Sequence, residues 1–247
     1  YLGKVLQVVR KQVPVDFNYI DNRNGTKSRE EYLSEDVSRS FDIDAESLVR
    51  LTLVQFSEQD YLFVWAFHHV ILDGWCIRIL INDFDQYLAG ELNGEHVQLP
   101  EVRPFSNYID WLGQQNKSKS TDYWNNYLSG YEDAASVPYQ TGKLIQTASS
   151  VEIETSLIQG EDFARFNALC NQLNITQNSF LQTVWGYLLG LYNGSDDVIF
   201  GSVVSGRSND LEGIDEMVGL FINTIPVRCT FEEGKTIEQL LVETNRK

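Results

Sequence analysis

The segment that decides the fold is YLFVWAFHHVILDGW, residues 61–75. Its first seven residues, Tyr61–Phe67, are aromatic, β-branched or otherwise apolar, which is typical of a buried β-strand. The heptapeptide HHVILDG follows at residues 68–74, and apolar residues then recur at 77, 80, 81, 84, 87 and 88, which is helical spacing. We therefore predict a strand, a turn with two adjacent histidines, and a helix over 75–88 that Asp73 caps and Gly90 follows.

The residues on either side predict a mixture of strands and helices. Leu48–Phe56 reads as a second strand, and the polar turn Ser57–Asp60 joins it to Tyr61–Phe67 in an antiparallel hairpin. The other predicted strands are 2–9, 150–157, 197–204 and 218–229, and the other predicted helices are 105–115, 121–128, 161–173 and 176–192. Thr236 and Gln239 form a capping box that opens a last helix. This order predicts an α+β fold.

The stretch Ser129–Ser150 divides the chain. It loses hydrophobic periodicity and collects Gly, Pro, Ser and Thr, which is typical of a passage between domains. We place the boundary near residue 142, which gives a first domain over 1–142 and a second over 143–247.

Composition excludes several classes of function. Thirty-five acidic against nineteen basic residues leave a formal charge of −16, which disfavours nucleic acid and anionic lipid as partners. The longest apolar run, Tyr61–Phe67, is far shorter than the roughly 17–25 residues of a membrane-spanning helix. The three cysteines lie far apart in sequence, which favours a reducing, cytoplasmic location. The chain begins at Tyr1 without a signal-peptide pattern, so we expect an internal fragment of a longer protein.

The paired histidines are the strongest candidates for chemistry, because imidazole exchanges protons near neutral pH. Against this, a histidine at a strand end is more often structural, and Asp73 alone would be a helix cap. A metal site that uses His69 and Asp73 is a weaker alternative, since His96 is the only other histidine outside the motif. HExxH, GxSxG and phosphate-loop motifs do not occur in the sequence. We expect no metal.

HHVILDGW resembles the HHxxxDG signature of the condensation domains of nonribosomal peptide synthetases, which are relatives of chloramphenicol acetyltransferase. Three further segments agree in the family's order: FSNYIDW at 105–111, DVIFGSVVSGR at 197–207 and VGLFINTIPVR at 218–228. The resemblance spans essentially the whole chain, while the family's first and last motifs would lie outside it.

The resemblance implies two chloramphenicol acetyltransferase-like lobes, each a mixed sheet with flanking helices, that meet in a V around an active-site tunnel; both lobes would be incomplete here. It implies attack by the α-amine of one carrier-bound aminoacyl thioester on the donor aminoacyl or peptidyl thioester of another carrier. The implied partners are the upstream and downstream peptidyl carrier domains and an adjacent adenylation domain. The domain would bind no cofactor itself, and 4′-phosphopantetheine would arrive on the carriers.

Residue by residue, His69 matches the family's catalytic histidine, and His68 is expected to support the turn. Asp73, beside Gly74, is expected to hold the loop by an ion pair, for which Arg207 and Arg78 are the available partners. Candidates for the tunnel or the core are Trp75, Cys76, Phe221, Asn223 and Thr224, with the core favoured for the aromatic residues. Cys76 stands where many members have serine, so no hydroxyl is expected to assist the oxyanion there, although a backbone N–H near Gly74 remains available.

Two alternatives remain open. An epimerisation domain shares the histidine motif, but the form GLFINTIPVR and Trp75 resemble condensation domains more closely. A non-catalytic platform for carrier docking is disfavoured by intact His69, Asp73 and Gly74. A cyclisation domain is excluded, because aspartates would replace both histidines.

Overall fold

The computed structural model describes residues 6–44, 47–132, 134–137 and 154–246. The chain forms two compact units: Tyr1–Gln114 with Gly206–Ile222, and Gln115–Ser205 with Asn223–Lys247. The predicted boundary near residue 142, between domains 1–142 and 143–247, lies outside the described residues and stays a prediction. Residues 206–222 pack with the first unit, although they are distant from it in sequence.

The sheet of the first unit has the order β1-β2-β3, with β1 at Asp16–Asp21, β2 at Val49–Gln55 and β3 at Tyr61–Phe67. β1 is parallel to β2, and β2 pairs antiparallel with β3, with Gln55 opposite Tyr61. The predicted hairpin is therefore confirmed. The predicted strand over 2–9 is wrong for the described residues 6–9, which are exposed and form no strand. β1, which the apolar pattern did not indicate, is the element that pairs with β2 instead.

Among its described residues this unit also has three α-helices and a short 3-10 helix at Ile214–Glu216. The α-helices are α1 at Arg29–Ser38, α2 at Gly74–Asn93 and α3 at Ser106–Gln114. Asp73 caps α2, as predicted, but the helix continues past Gly90. It ends at Gly94, whose φ of 69° is the left-handed conformation that favours glycine. Gly90 is needed for a different reason, because a Cβ there would lie 2.1 Å from Val97 Cγ2.

The second unit contains α4 at Lys117–Leu128, α5 at Gly160–Leu173, α6 at Gln177–Asn193, β4 at Asp197–Val204, β5 at Asn223–Thr230 and α7 at Ile237–Arg246. β4 and β5 are antiparallel. The capping box of Thr236 and Gln239 is present. The predicted strand 218–229 begins only at Asn223, while the described residues of the predicted strand 150–157, namely 154–157, form no strand. Within the described ranges, no helix is long and apolar enough to cross a membrane.

α6 packs on the β4-β5 sheet through a glycine. A Cβ added at Gly186 would lie 2.6 Å from the Sγ of Cys229 on β5. Cys229, Val198 and Leu189 are buried and form a core cluster of this unit, on which Phe200 also packs. The close approach of helix and strand therefore depends on the absence of a side chain at position 186.

We predict that Gly186→Ala destabilises the protein, although alanine is normally the better helix former. A methyl group in this contact should cost about 1–3 kcal/mol, more than the ~1 kcal/mol that alanine gains over glycine in a helix. Gly113→Ala in α3 is the matched control, because no atom lies within 4 Å of a Cβ there. Urea unfolding should show a loss for Gly186→Ala and no loss for Gly113→Ala. Equal stability of the two variants would contradict this packing.

Candidate functional site

The HHVILDG segment forms a tight turn at the end of β3. The backbone N–H of His68 donates to the carbonyl of Leu48 at 2.9 Å, and Ile71 N–H donates to the carbonyl of His68 at 3.2 Å. The His68 ring joins the turn, since its Nδ1 accepts a hydrogen bond from Val70 N–H at 3.1 Å. His69 is exposed at the tip of the turn. The backbone is thus fixed on both sides of a solvent-facing imidazole.

Asp73 ends the turn and is only 1% exposed. One carboxylate oxygen accepts the N–H of Cys76, at 3.4 Å, and so caps α2. The other accepts the N–H of Phe221 at 3.0 Å, and the backbone N–H of Asp73 donates to the carbonyl of Gly219. Asp73 therefore joins the start of α2 to the segment 219–221.

Arg207 provides the opposite charge. Its Nη2 lies 3.5 Å from Asp73 Oδ1, and the Arg207 side chain is 3% exposed. Its Nη1 donates to the carbonyls of Ile214 and, at 3.1 Å, Met217. The guanidinium also lies 3.8 Å from the ring centre of Phe221. Of the two arginines considered in the sequence, the structure brings Arg207 to Asp73.

Arg78, the other arginine considered as a partner of Asp73, has its guanidinium carbon 5.4 Å from the centre of the Trp75 ring.

The environment of Asp73 favours its charged form. Burial alone would raise the pKa of this carboxyl, but the hydrogen bonds from Phe221 and Cys76 and the charge of Arg207 outweigh burial. The pKa of Asp73 therefore lies below its ordinary value of 3.8. A carboxylate held in this state near neutral pH is suited to structure rather than to proton exchange.

The candidates on α2 differ in accessibility. Trp75 is exposed, so the core interpretation favoured for this aromatic residue is wrong. Its Nε1 instead donates to the carbonyl of Asp215 at 3.1 Å. Cys76 is fully buried, with its Sγ 3.2 Å from both the carbonyl oxygen of Gly219 and Nη2 of Arg207. Gly74, the first residue of α2, is exposed and has open space where a Cβ would be.

The candidates near the end of the chain lie in different surroundings. Phe221 is buried in a core cluster with Tyr108, Ile214 and Met217, which agrees with the core interpretation of this aromatic residue. Asn223 and Thr224 are exposed and begin β5 in the other unit.

The sequence did not reveal how much of the site is backbone. The carbonyls of Ile214, Met217 and Gly219 and the N–H of Phe221 surround the Asp73–Arg207 pair. Gly206 contributes to this arrangement, since its φ is 65° and a Cβ at this position would lie 1.8 Å from the carbonyl oxygen of Phe221. This glycine allows the segment before Arg207 to approach the segment that encloses Asp73.

The geometry does not favour the metal alternative. His69 faces solvent while Asp73 is buried and paired with Arg207, so the two do not offer a joint ligand pair. No group of three or more histidine, cysteine, aspartate or glutamate residues that could hold a metal ion occurs within the described ranges.

Known proteins match both the sequence and the fold. A family model described as a condensation domain matches residues 1–247. Bacitracin synthase 3 of Bacillus licheniformis is 38% identical over 246 residues, which cover 98% of this chain and 4% of that protein. Tyrocidine synthase 2 of Brevibacillus parabrevis is 36% identical over 251 residues, which cover 100% of this chain and 7% of that protein. The chain thus spans a small part of these relatives.

Two solved structures have the same fold. The first condensation domain of the calcium-dependent antibiotic synthetase, in complex with substrate analogue 3a, matches with a TM-score of 0.73 and 14% identity, over 95% of this chain and 53% of that chain. The epimerization domain from the third module of tyrocidine synthetase B matches with a TM-score of 0.72 and 19% identity, over 94% of this chain and 54% of that chain. These matches confirm the predicted α+β fold of the chloramphenicol acetyltransferase type.

We predict that Asp73→Asn lowers stability and weakens its dependence on acid pH. A folded-state pKa below 3.8 stabilises the protein fully above that pH, and the contribution is lost as the pH falls through the folded value. Breaking a buried pair also leaves the charge of Arg207 uncompensated, at about 3–5 kcal/mol. Urea unfolding from neutral to acid pH measures both effects.

Asp21→Asn is the control, because the pKa of Asp21 is also low, about 2, but its partner Arg23 is exposed. Its loss of stability should be small. If Asp73→Asn were as mild as Asp21→Asn, the buried pair would not support the fold.

Proposed function

The chain belongs to the condensation-domain family of nonribosomal peptide synthetases, an amide-forming transferase family, and we propose that it forms a peptide bond between two carrier-bound substrates. The donor is an aminoacyl or peptidyl thioester on the upstream carrier domain. The acceptor is the α-amine of an aminoacyl thioester on the downstream carrier domain.

The observation that carries this proposal is the contrast between His69 and Asp73. His69 faces solvent on a turn whose backbone is held by hydrogen bonds, so it can meet a substrate and exchange a proton. Asp73 is buried and paired with Arg207, so it holds the turn without contacting substrate. The same turn therefore carries an exposed residue that can exchange a proton, His69, and a buried residue that stabilises the turn, Asp73.

The attack of an amine on a thioester needs only moderate help from a general base. The nitrogen of the acceptor amine attacks the thioester carbonyl carbon, the C–S bond breaks, and the pantetheine thiolate leaves. An α-amine has a pKa of about 8, so a useful fraction is neutral near pH 7. His69 positions that amine, accepts its proton as the C–N bond forms and returns a proton to the leaving sulfur. Most of the remaining rate gain comes from holding two tethered ends together.

The oxyanion that forms on the carbonyl needs hydrogen-bond donors. Cys76 cannot serve, because it is fully buried and its Sγ lies 3.2 Å from Nη2 of Arg207 and from the carbonyl oxygen of Gly219. The exposed first turn of α2, at Gly74, offers backbone N–H groups at the positive end of a helix dipole. We assign this role to the backbone near Gly74.

The implied partners follow from the reaction. Both substrates would arrive on 4′-phosphopantetheine arms of peptidyl carrier domains, and an adjacent adenylation domain would load the acceptor. The large size of the matched synthases, of which this chain spans 4% and 7%, agrees with a domain that works beside others.

Epimerisation is the second candidate, because an epimerization domain has the same fold as this chain, with a TM-score of 0.72 at 19% identity. There the same imidazole would remove and return the α-proton of a tethered aminoacyl group. A test with both carriers loaded separates the two reactions, since condensation yields a new amide whereas epimerisation changes only the configuration of one substrate.

We predict that His69→Ala abolishes detectable dipeptide transfer between loaded carriers and leaves the thermal midpoint nearly unchanged. A general base contributes about 10²–10⁴ in rate, and an exposed side chain contributes little packing. His96→Ala, another exposed histidine, is the control and should keep full activity. His68→Ala should lose less rate and more stability, because its ring bonds to Val70. Retention of more than about a tenth of the activity by His69→Ala would remove His69 from the base role.

We also predict that prolonged dialysis against a strong chelator leaves the condensation rate unchanged. Within the part of the chain that the structure describes, a metal ion at His69 would lack further protein ligands, because the carboxylate of Asp73 is paired with Arg207. Stoichiometric zinc or manganese in the purified protein, with activity lost on its removal and regained on its return, would contradict this prediction.

A further inference from the structure

An aromatic ring packs against His68. The ring of Phe41 meets the imidazole edge to face, with centroids 6.2 Å apart and planes at 89°. Both side chains are partly buried. Phe41 lies in the connection between α1 and β2, far in sequence from the histidine motif, and had no assigned role in the sequence.

Phe41 is itself held by a buried cation. The guanidinium of Arg50 lies 4.6 Å from the Phe41 ring centre, and Arg50 is 4% exposed. Its Nε donates to a carboxylate oxygen of Asp36 at 2.7 Å, and its Nη2 donates to the Asp36 carbonyl at 3.0 Å. The pKa of Arg50 is accordingly raised, chiefly by its hydrogen bond to Asp36. A continuous series of contacts therefore runs from Asp36 through Arg50 and Phe41 to the His68 ring.

His68 transmits this restraint to its neighbour. Its Nδ1 accepts the N–H of Val70, so the ring closes a bridge over the one residue between them, which is His69. If the His68 ring rotates, this hydrogen bond breaks and the backbone on the C-terminal side of His69 loses an anchor. The orientation of the His68 ring therefore controls how firmly the His69 backbone is held.

We propose that Phe41 is a positioning residue for His69, acting through the His68 ring. The proposal rests on the proposed function, in which His69 is the base. Phe41 does not touch the reacting atoms, so its loss should lower kcat through misplacement of the base and leave the KM for the loaded acceptor carrier unchanged.

The chain contains a matched control. Phe56 lies 4.6 Å beneath the guanidinium of Arg29 and meets Tyr32 edge to face at 6.1 Å and 85°, nearly the same arrangement. Phe56 follows β2 at its other end, away from the histidine turn. Phe41→Leu and Phe56→Leu therefore remove the same kind of cation–π and edge-to-face contact, and only the first involves His68.

The first measurement is the rate of dipeptide formation between loaded carriers. Phe41→Leu should lower kcat about tenfold with KM unchanged, in keeping with the sensitivity of catalysis to small displacements. Phe56→Leu should keep wild-type kcat, and Phe41→Tyr, which retains the ring, should recover most of the rate. Equal kcat for Phe41→Leu and Phe56→Leu, at similar thermal midpoints, would overturn the proposal.

The second measurement does not depend on activity. Deuterium exchange at the imidazole C2 position, read by mass spectrometry, reports the surroundings of each histidine, and His96 serves as an internal reference. Exchange at His68 should accelerate in Phe41→Leu and stay unchanged in Phe56→Leu; unchanged exchange in both overturns the proposal. Failure of the proposed function is a separate result, because it appears as activity in His69→Ala while the altered exchange at His68 persists.

Discussion

A buried carboxylate that must keep a charged partner governs the first unit. Asp73 is almost fully enclosed, and a charge in that position is tolerable only when hydrogen bonds and an opposite charge replace water. Arg207 supplies the charge, and the N–H groups of Cys76 and Phe221 supply the hydrogen bonds. The start of α2 and the segment 206–222 are held together because separating Asp73 from Arg207 would leave a buried charge without a partner.

This constraint explains the form of the histidine turn. The turn is anchored at one end by the β2-β3 ladder through His68 and at the other by Asp73. Between these anchors His69 is exposed to solvent, which leaves its imidazole accessible to a substrate. The Phe41 ring then adds a side-chain restraint on His68 to these backbone restraints. A mobile loop with the same residues would not hold an imidazole at one place.

Glycines allow the close approaches on which both units depend. In the first unit, Gly206 lies against the carbonyl of Phe221, next to the buried ion pair. In the second unit, Gly186 lets α6 lie on Cys229 of β5. At each position a side chain would collide with atoms of the segment that packs against the glycine. The sequence around each glycine does not show which segment will pack against it.

Local pattern determined much of this protein. The β2-β3 hairpin, the cap of α2 at Asp73, the paired histidines and most helices follow from periodicity and capping chemistry, which act over a few residues. Tertiary structure alone decided that Arg207 rather than Arg78 pairs with Asp73, and that Phe41 packs on His68. It also placed β1 beside β2, although the residues near 2–9 had the stronger apolar pattern. These outcomes depend on which segments meet in space, and the cost of burying an unpaired charge or an unpaired strand edge selects among arrangements that a local pattern cannot distinguish.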